Sequence, residues 1–595
     1  MHTLRFAPRL LLYLVVIALP ALAGCQSSST VTPAITVQIV QTNPAAGTEQ
    51  ALHKPAAPTP TPTATPWPAP TSVPVSTIWI DPVLPTDLHD ELERAVSTIQ
   101  SRIPQGSRGI TSTFSSDADI VVDSHPTVTG TLDIAIISRT YAVAAPFPTV
   151  ADSITMDALT SFWHGNARAL NRLTNDGSTP TLYTDAATRA GLVLLLGEPS
   201  RAAPIRLVQA GTLVTATWAA RPGSFAVLPF DRLEPEWKLI WLDGLNLFDK
   251  QMDAARYPLT LHVHAHVHKT PDMAFAAQLP TSNNRDITKM AIVAMTGTTA
   301  MVRGTAVQME RKGITYPGEA IRDWLLTADV RHISNEVSFW DHCPYPTFND
   351  GVSMCSNPKY IDLLKYVGAN LIELSGNHLW DKGTDYLSST IQMYDDLGWK
   401  HFAGGRTYTE SQQPVTMTIA GNRLAFVGCN WFGADWATPT NDLPGSALCG
   451  SENPHSLDLI TPAIHTLTEQ GYLVIATLQY QEYYTYEPAL QQEQDFKALR
   501  DAGAVVVNGS QGHWVQGFDV SRAGFIHYGV GNLFFGDQAG IGTHQTFVDR
   551  HIFYNGRYLG TDLRTAFIVD YSRPEPMSET DRAKLLQTLF AASGY

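Results

Sequence analysis

Six polar side chains in the second half of the chain are of types that suit acid–base chemistry or the binding of a divalent metal ion. They are Glu336, Asn377, His378, Glu482, His513 and Asn532. Carboxylates and imidazoles exchange protons near neutral pH and also bind divalent ions. We expect these six residues to form one catalytic site, with the glutamates as acid and base, the histidines as metal ligands or proton carriers, and the asparagines as polarising groups.

Strands are predicted to position these residues. Apolar runs typical of buried strands occupy residues 291–295, 332–334, 473–478, 504–507 and 525–528, and each ends abruptly in glycine and polar residues. A further run ends at Leu374 and leads into Asn377 and His378. Because the carboxyl ends of parallel strands meet at one edge of a sheet, the polar residues that follow them are predicted to converge.

This ordered set of motifs, over about residues 288–540, resembles the capsule-synthesis protein CapA family, whose domain has the fold of the calcineurin-like metallophosphoesterases. The family blocks are Gly-Asp, Asn-Leu-Glu, Asn-Asn-His with Asp-x-Gly, His-Trp-Gly-x-Glu-Tyr, Gly-His-His-Pro-His and Ser-Leu-Gly-Asn-Phe-x-Phe. Their order is kept in this chain. The resemblance implies an α/β fold with an αββα sandwich of two mixed sheets flanked by helices.

Several metal ligands that the resemblance implies are replaced. Thr298 stands in the place of the first Asp, Gln479 in the place of a His, and Ser510 and Gln511 in the place of two adjacent His. Hydroxyl and amide oxygens are weaker ligands for divalent ions than carboxylates and imidazoles. We therefore expect either no metal ion or one weakly bound divalent ion. Its candidate ligands are Glu336, Asn377, His378 and His513.

The resemblance implies a role in the biosynthesis, anchoring or trimming of an extracellular anionic polymer, such as poly-γ-glutamate or capsule. The expected partner is that polymer or an envelope glycan. Three functions stay open: a hydrolase or transferase with a reduced metal site, a non-catalytic surface lipoprotein that binds polymer or solute, and a metal-dependent phosphoesterase.

Asp381 and His527 lie near these motifs and have simpler interpretations. Asp381 could orient His378 or cap the helix predicted over residues 386–397, and its position before that helix favours capping. His527 lies on a predicted strand, which favours a hydrogen-bonded histidine of the core over a ligand.

Residues 1–25 are predicted to be a lipoprotein signal peptide, because two arginines precede an apolar run and Leu22-Ala23-Gly24-Cys25 closes it. The closing motif resembles a bacterial lipobox, which implies that Cys25 is lipidated. The apolar run is shorter than the about 20 residues that span a bilayer. We therefore expect an exported protein that is held by acyl chains at the outer face of the bacterial cell membrane.

Two folded parts are predicted after a disordered, Pro- and Thr-rich spacer at residues 26–76. Residues 285–595 form the CapA-like part. Residues 77–275 alternate strand and helix patterns, which predicts a smaller α/β domain. Short motifs, at residues 146–155, 223–231 and 257–259, resemble type 2 periplasmic solute-binding proteins and carry no ligand signature. This domain could bind a small solute in a cleft or act as a docking scaffold.

Four histidines alternate with apolar residues at 262, 264, 266 and 268. A strand would place all four on one face. That ladder could bind zinc or copper, but residues at this spacing rarely close a tetrahedral set, which favours an exposed polar face.

Cysteine number and net charge bound the remaining possibilities. Four cysteines follow Cys25, and the short loops between them favour the disulfides Cys343–Cys355 and Cys429–Cys449 among three possible pairings. The formal net charge is -15. An acidic exported protein is not expected to bind nucleic acid.

Overall fold

The computed structural model describes residues 74–595, apart from short gaps at 106, 126–130, 175, 350, 434–436 and 537–539. The predicted signal peptide, Cys25 and nearly all of the predicted spacer lie outside the described residues. No helix within the described ranges is long and apolar enough to cross a membrane.

The N-terminal part, residues 75–283, is built on one mixed sheet that we call the N-terminal sheet. Its strands are β1 (Val75–Ile80), β2 (Gly109–Ser112), β3 (Ile120–Asp123), β4 (Leu132–Pro146), β5 (Ser153–Ile154), β6 (Thr181–Thr184), β7 (Ile205–Leu207), β8 (Ser224–Pro229), β9 (Trp237–Leu242), β10 (Thr260–Val267) and β11 (Ser282–Asn283). The main order is β2-β1-β3-β10-β4-β8-β6-β7. Strand β4 is 15 residues long and pairs with β10 over its first half and with β8 and β9 over its second. It therefore joins the two halves of the sheet.

Helices cover this sheet, as the alternating sequence pattern predicted. They are α1 (Thr86–Ser101), α2 (Met156–Trp163), α3 (Ala186–Leu196), α4 (Leu213–Ala219) and α5 (Met273–Ala276). Helix α1 buries Leu88, Leu92, Val96 and Ile99, which recur every three or four residues and so share one helix face.

The predicted histidine ladder lies on β10, and the prediction of one exposed histidine face is wrong. His262 is exposed, whereas His266 is buried with its two ring nitrogens 2.7 Å from Asp133 and 3.1 Å from Asp123. The strand pairing shifts register between Val263 and His264. Because β10 is a central strand between β3 and β4, neighbouring groups cover part of its polar face.

The C-terminal part, residues 290–595, contains two larger sheets. Its strands are β12 (Met290–Thr296), β13 (Thr298–Thr299), β14 (Val330–Asn335), β15 (Leu371–Glu373), β16 (Lys400–Phe402), β17 (Gly404–Gly405), β18 (Val415–Ile419), β19 (Asn422–Asn430), β20 (Gly445–Ser446), β21 (Leu473–Gln479), β22 (Ala504–Ser510), β23 (Phe518–Ser521), β24 (Gly524–His527), β25 (Gln545–Tyr554), β26 (Arg557–Val569) and β27 (Arg573–Pro576). The first sandwich sheet has the order β16-β15-β14-β12-β25-β26-β27, and the second has the order β18-β19-β21-β22-β24-β23. Strands β12, β14, β15 and β16 are parallel, and so are β19, β21, β22 and β24.

Helices flank the two sandwich sheets on their outer faces. The helices of the C-terminal part are α6 (Arg303–Lys312), α7 (Arg322–Leu326), α8 (Ile361–Tyr366), α9 (Thr384–Asp396), α10 (Tyr408–Ser411), α11 (Ile460–Glu469), α12 (Leu490–Asp501), α13 (Ile541–His544) and α14 (Glu579–Ala592). Helices α6 to α9 pack against the first sandwich sheet, α11 and α12 against the second, and α14 against the apolar cluster between the sheets. Along β12, Val293 belongs to the apolar cluster between the sheets, while Ile292 belongs to the cluster formed with α7, α8 and α9. Burial on both faces explains the continuous apolar run of this strand. The predicted αββα sandwich is confirmed.

The N-terminal and C-terminal parts pack together within one compact unit. Phe147 of the N-terminal part lies among the rings of Phe518, Phe525 and Phe590, with ring centres 5.4 to 5.7 Å apart. Asp152 accepts hydrogen bonds from Nε and Nη2 of Arg582 at 2.6 and 2.9 Å. Aromatic burial and a bidentate ion pair therefore join the parts.

A buried lysine completes this ion-pair cluster at the junction. Lys238 Nζ lies 2.8 Å from Asp152 Oδ1. Burial lowers the pKa of Lys238 to about 8, although the charge of Asp152 opposes the change. Burial raises the pKa of Asp152, but Lys238 and Arg582 reverse the shift and hold that carboxyl below its usual range. Two cations therefore stabilise one partly buried carboxylate at the junction.

Candidate functional site

The predicted site residues lie in the loops at the carboxyl ends of both sandwich sheets. Glu336 follows β14, and Asn377 and His378 follow β15. On the second sandwich sheet, His513 follows β22 and Asn532 follows β24. Glu482 follows β21 but is exposed at the rim.

Backbone contacts join the two sets of loops. The Glu336 N–H donates to Thr299 O at 2.9 Å, and residues 298 and 532 form an isolated parallel bridge. A Cβ on Gly297 would lie 1.9 Å from Gly531 O, and one on Gly376 would lie 2.7 Å from Glu336 Cα. Glycine is required at both positions because the neighbouring backbones leave no room for a side chain.

His378 and Asp381 form a hydrogen-bonded pair beside Glu336. His378 Nδ1 lies 2.8 Å from Asp381 Oδ2, which also accepts the Met354 N–H at 2.7 Å. The prediction that Asp381 caps the next helix is wrong, because α9 follows Gly383 and has no side-chain cap. Asp381 instead binds His378 and so orients its imidazole ring. Carboxylates often orient functional histidines in this way.

The charge around His378 favours its protonated form. Burial lowers the pKa of His378, but the hydrogen bond to Asp381 and the negative charge of Glu336 raise it above its ordinary value. Glu336 is 2% exposed, and its Oε2 has no hydrogen-bond partner among the described residues. A buried carboxylate with an unsatisfied oxygen next to an imidazole is a suitable proton acceptor.

Side-chain amides occupy the edge of the second sandwich sheet. Gln479 Nε2 donates to Asn377 Oδ1 at 2.8 Å and to Gln511 Oε1 at 2.6 Å. Gln511 Nε2 then lies 3.5 Å from Glu482 Oε1, the contact that links Glu482 to the buried site. The two N–H groups of Gln479 thus connect the loops after β15 and β22.

A buried hydrogen bond between a histidine and a glutamate lies beneath this amide network. His332 Nε2 lies 3.0 Å from Glu373 Oε2, and the Ser375 hydroxyl donates to Glu373 Oε1 at 2.6 Å. Burial raises the pKa of Glu373, but His332 and Ser375 reverse the shift and leave it below the usual value. Ser375 Oγ also lies 3.4 Å from Gln479 Oε1. His332, Glu373 and Ser375 were not predicted from the sequence as residues of the site.

His513 is held in an unusual backbone conformation. Gln511 and His513 have positive φ angles of 73° and 54°. Such residues cost about 1–3 kcal/mol each and cluster at functional sites. His513 Nδ1 lies 2.9 Å from Asn532 Oδ1, so the two form a pair, as their shared site predicted. His527, in contrast, is buried against Asp549 at 2.6 Å, which confirms its interpretation as a core histidine.

The side chains present do not fit a two-metal centre. Within the part of the chain that the structure describes, no group of three or more His, Cys, Asp or Glu is arranged to hold a metal ion. Asn377 Oδ1 accepts from Gln479, and His513 Nδ1 is engaged by Asn532. The ionisable and amide groups present can transfer protons and form hydrogen bonds.

Both predicted disulfides are present and lie beside the site. Cys343–Cys355 closes the loop whose Met354 N–H binds Asp381. Cys429–Cys449 closes the loop whose Ser446 hydroxyl donates to Gly376 O at 2.8 Å. Each disulfide therefore supports one backbone or side-chain contact of the site.

Arg303 is a site residue that the sequence reasoning missed. It begins α6, and its positive charge lowers the pKa of His378, opposing Asp381 and Glu336. The sequence does contain one indication of this role. Arg303 is a cation that lies a few residues after Gly297, where the first predicted strand of the segment ends.

Two solved structures show a remote likeness to this chain. An ABC-type phosphate transport receptor from Vibrio cholerae has a TM-score of 0.28 and 11% identity, covering 34% of this chain and 92% of that one. PstS from Borrelia burgdorferi has a TM-score of 0.28 and 9% identity, with the same coverage. At these TM-scores neither likeness carries an argument, so the fold of the N-terminal part rests on its own strand pairing.

The C-terminal part has clearer relatives. A model of the family described as bacterial capsule synthesis protein PGA_cap matches residues 292–537. The capsule biosynthesis protein CapA of Bacillus anthracis is 26% identical over 266 residues, which are 44% of this chain and 64% of that protein. The PGA biosynthesis protein CapA of Bacillus subtilis (strain 168) is 20% identical over 219 residues, which are 36% of this chain and 54% of that protein.

The chain thus spans less than two thirds of the length of these two curated relatives. The matched range contains most of β12, all of β13 to β24 and every predicted catalytic residue. Residues 292–537 are a CapA-like segment of the PGA_cap type.

Proposed function

We propose that this chain acts in the biosynthesis of an extracellular anionic polymer of the poly-γ-glutamate or capsule type. The names of both relatives support this polymer class. We further propose that the CapA-like segment cleaves or transfers polymer chains by acid–base chemistry. The observation that carries this chemistry is the buried Glu336 carboxylate, with its unsatisfied Oε2, beside the His378–Asp381 pair.

The proposed reaction uses three side chains at an amide bond of the polymer. Glu336 accepts a proton from the attacking water or amine as that group adds to the amide carbonyl carbon. Protonated His378 donates its Nε2 proton to the leaving nitrogen as the carbon–nitrogen bond breaks, and Asp381 accepts a hydrogen bond from Nδ1 and so holds the ring in the required orientation. Attack by water gives hydrolysis, and attack by an amine gives transfer to a new chain.

The experiment is turnover of poly-γ-glutamate of defined length by the purified full chain, measured as new amine ends and shortened polymer. Glu336→Gln and His378→Ala should each lower the rate by about a hundredfold or more. His465→Ala changes an exposed histidine on α11 and serves as the matched control. A rate unchanged in Glu336→Gln would contradict the mechanism, and a rate abolished by a chelator would favour a metal-dependent reaction, the phosphoesterase included.

Capture of the polymer without turnover is the second candidate function. It is favoured by Gln479 and Gln511, because these hydrogen-bonded amides stand where the resemblance implies histidine ligands and amides do not titrate. Tight binding of the polymer without new amine ends would support this function over the first.

We also propose that the protein is exported and anchored by a lipid on Cys25 at the outer face of the bacterial cell membrane. The signal-peptide pattern supports this proposal, and the two disulfides are compatible with an oxidising compartment. Cys25→Ser should move the protein from the membrane fraction to the soluble fraction. Unchanged membrane association of Cys25→Ser would argue against the anchor.

A further inference from the structure

The Arg303 guanidinium is held in place but is not fully satisfied by the protein. Arg303 has a positive φ of 47°, which is uncommon for a residue other than glycine. One Nη donates to Gly351 O at 2.8 Å, and the guanidinium lies 5.7 Å from the centre of the Phe535 ring. Its Nε is buried and has no hydrogen-bond partner among the described residues. A strained backbone that holds an unsatisfied donor indicates a functional constraint.

Phe535 places this guanidinium next to the proposed catalytic groups. The His513 ring lies 5.2 Å from the same Phe535 ring. The charge of Arg303 also acts on His378, whose pKa it lowers. Arg303 therefore lies within electrostatic reach of the groups that would transfer protons.

A second cation, Lys382, strengthens the positive field at this rim. Lys382 Nζ donates to Ser353 Oγ at 2.8 Å and lies 5.7 Å from the centre of the Trp340 ring. Ser353 and Gly351 belong to the same loop, which the Cys343–Cys355 disulfide closes. Neither cation forms an ion pair with a carboxylate in the described ranges. Arg303 and Lys382 thus bring two cations to a site that also holds the carboxylates of Glu336 and Asp381.

We propose that Arg303 binds an anionic group of the polymer next to the bond on which Glu336 and His378 act, with Lys382 adding to the positive field. This inference rests on the proposed function and names the group that selects an anionic substrate. A guanidinium matches the planar fork of a carboxylate and also binds phosphate. The ligand is therefore either the free carboxylate of a glutamate repeat or the phosphate of a phosphate-bearing envelope polymer.

The experiment measures the affinity of the full chain for three labelled polymers: a poly-γ-glutamate oligomer, a polyglycerol phosphate and a neutral dextran. Arg303→Asn removes the guanidinium, and asparagine tolerates a left-handed backbone. Arg423→Asn is the matched control. Arg423 also donates to a backbone carbonyl, Gln470 O at 2.6 Å, and lies 4.2 Å from a ring centre, that of Tyr472. It lies near the beginning of β19, at the end of the sheet opposite the site.

Arg303→Asn should weaken binding of one anionic polymer by about tenfold at low salt, because a charge-assisted hydrogen bond is lost. Arg423→Asn should stay within about twofold of wild type, and added salt should shrink the difference between the variants. The anionic polymer whose affinity falls identifies carboxylate or phosphate as the ligand. Equal losses in both variants, or an equal loss for dextran, would overturn the proposal.

Turnover assays separate this proposal from the proposed function. The protein could bind polymer in a way that depends on Arg303 and yet show no turnover. That result would contradict the catalytic mechanism and still support the anion site. Turnover with a KM that does not change in Arg303→Asn would overturn the anion site alone. Equal melting temperatures of the two arginine variants would show that Arg303→Asn keeps the fold.

Discussion

The two edges of the candidate site differ in chemistry although both are built from strand ends of the same sandwich. The edge formed by the first sandwich sheet carries ionisable groups, namely Glu336, His378 and Asp381, with a raised pKa at the histidine. The edge formed by the second sandwich sheet is connected through the amides of Gln479 and Gln511, while its ionisable residues are His513, hydrogen-bonded to Asn532, and Glu482, exposed at the rim. We call these the charged edge and the amide edge.

The difference indicates a division of roles within one site. Proton transfer needs groups that change charge, and the charged edge supplies them. An amide does not titrate. Gln479 instead donates hydrogen bonds to residues on two separate loops and so holds the two loops in a fixed relative position. We expect substitutions on the charged edge to affect rate more than stability, and substitutions on the amide edge to do the reverse.

The largest effect is expected for Asp381→Asn on the charged edge. The substitution keeps the size of the side chain but removes the charge that orients and protonates His378. The rate of polymer turnover should fall by about a hundredfold, while the free energy of unfolding changes little. Steady-state kinetics with Asp362→Asn, an exposed aspartate on α8, as the control would test this. A rate close to wild type would remove Asp381 from the mechanism.

A smaller effect, on stability, is expected for Gln479→Met on the amide edge. Methionine has a similar length but leaves the Asn377 and Gln511 oxygens without their donor. The free energy of unfolding should fall by about 1–3 kcal/mol, the cost of buried polar groups that lose their partners. Denaturant unfolding of this variant and of Gln470→Met, which changes an exposed glutamine, measures the difference. A large fall in the turnover rate of Gln479→Met without a fall in its free energy of unfolding would contradict the proposed difference between the edges.

The smallest effect is expected in the pH dependence of stability. A histidine whose pKa rises on folding stabilises the fold fully below its unfolded pKa of about 6.5. That contribution is lost as the pH rises through the folded pKa. Wild type should therefore lose more stability than His378→Gln between mildly acidic and alkaline pH. Parallel curves for the two proteins would show that the surroundings of His378 do not favour its protonated form.

The strand ends could be predicted because apolar runs that break into glycine and polar residues leave a clear pattern, whereas the αββα sandwich was implied by the resemblance to the CapA family. Asp381 could not be assigned from spacing alone, since a carboxylate before a helix suits a cap as well as a histidine partner. Arg303 was missed because its role depends on a left-handed backbone and on Phe535, which is more than 200 positions away in the sequence. His266 is buried because β10 is a central strand, where Asp123 of β3 and Asp133 of β4 contact its ring, and strand periodicity does not reveal such neighbours.

The aromatic contacts of Phe147 make the two parts of the chain thermodynamically inseparable. A chain cut near residue 285 would lose that ring from its place among Phe518, Phe525 and Phe590, and Arg582 would lose Asp152. We therefore expect one cooperative melting transition in calorimetry, not two. Any ligand that the N-terminal part bound would then also stabilise the candidate site, through the folding equilibrium that the two parts share.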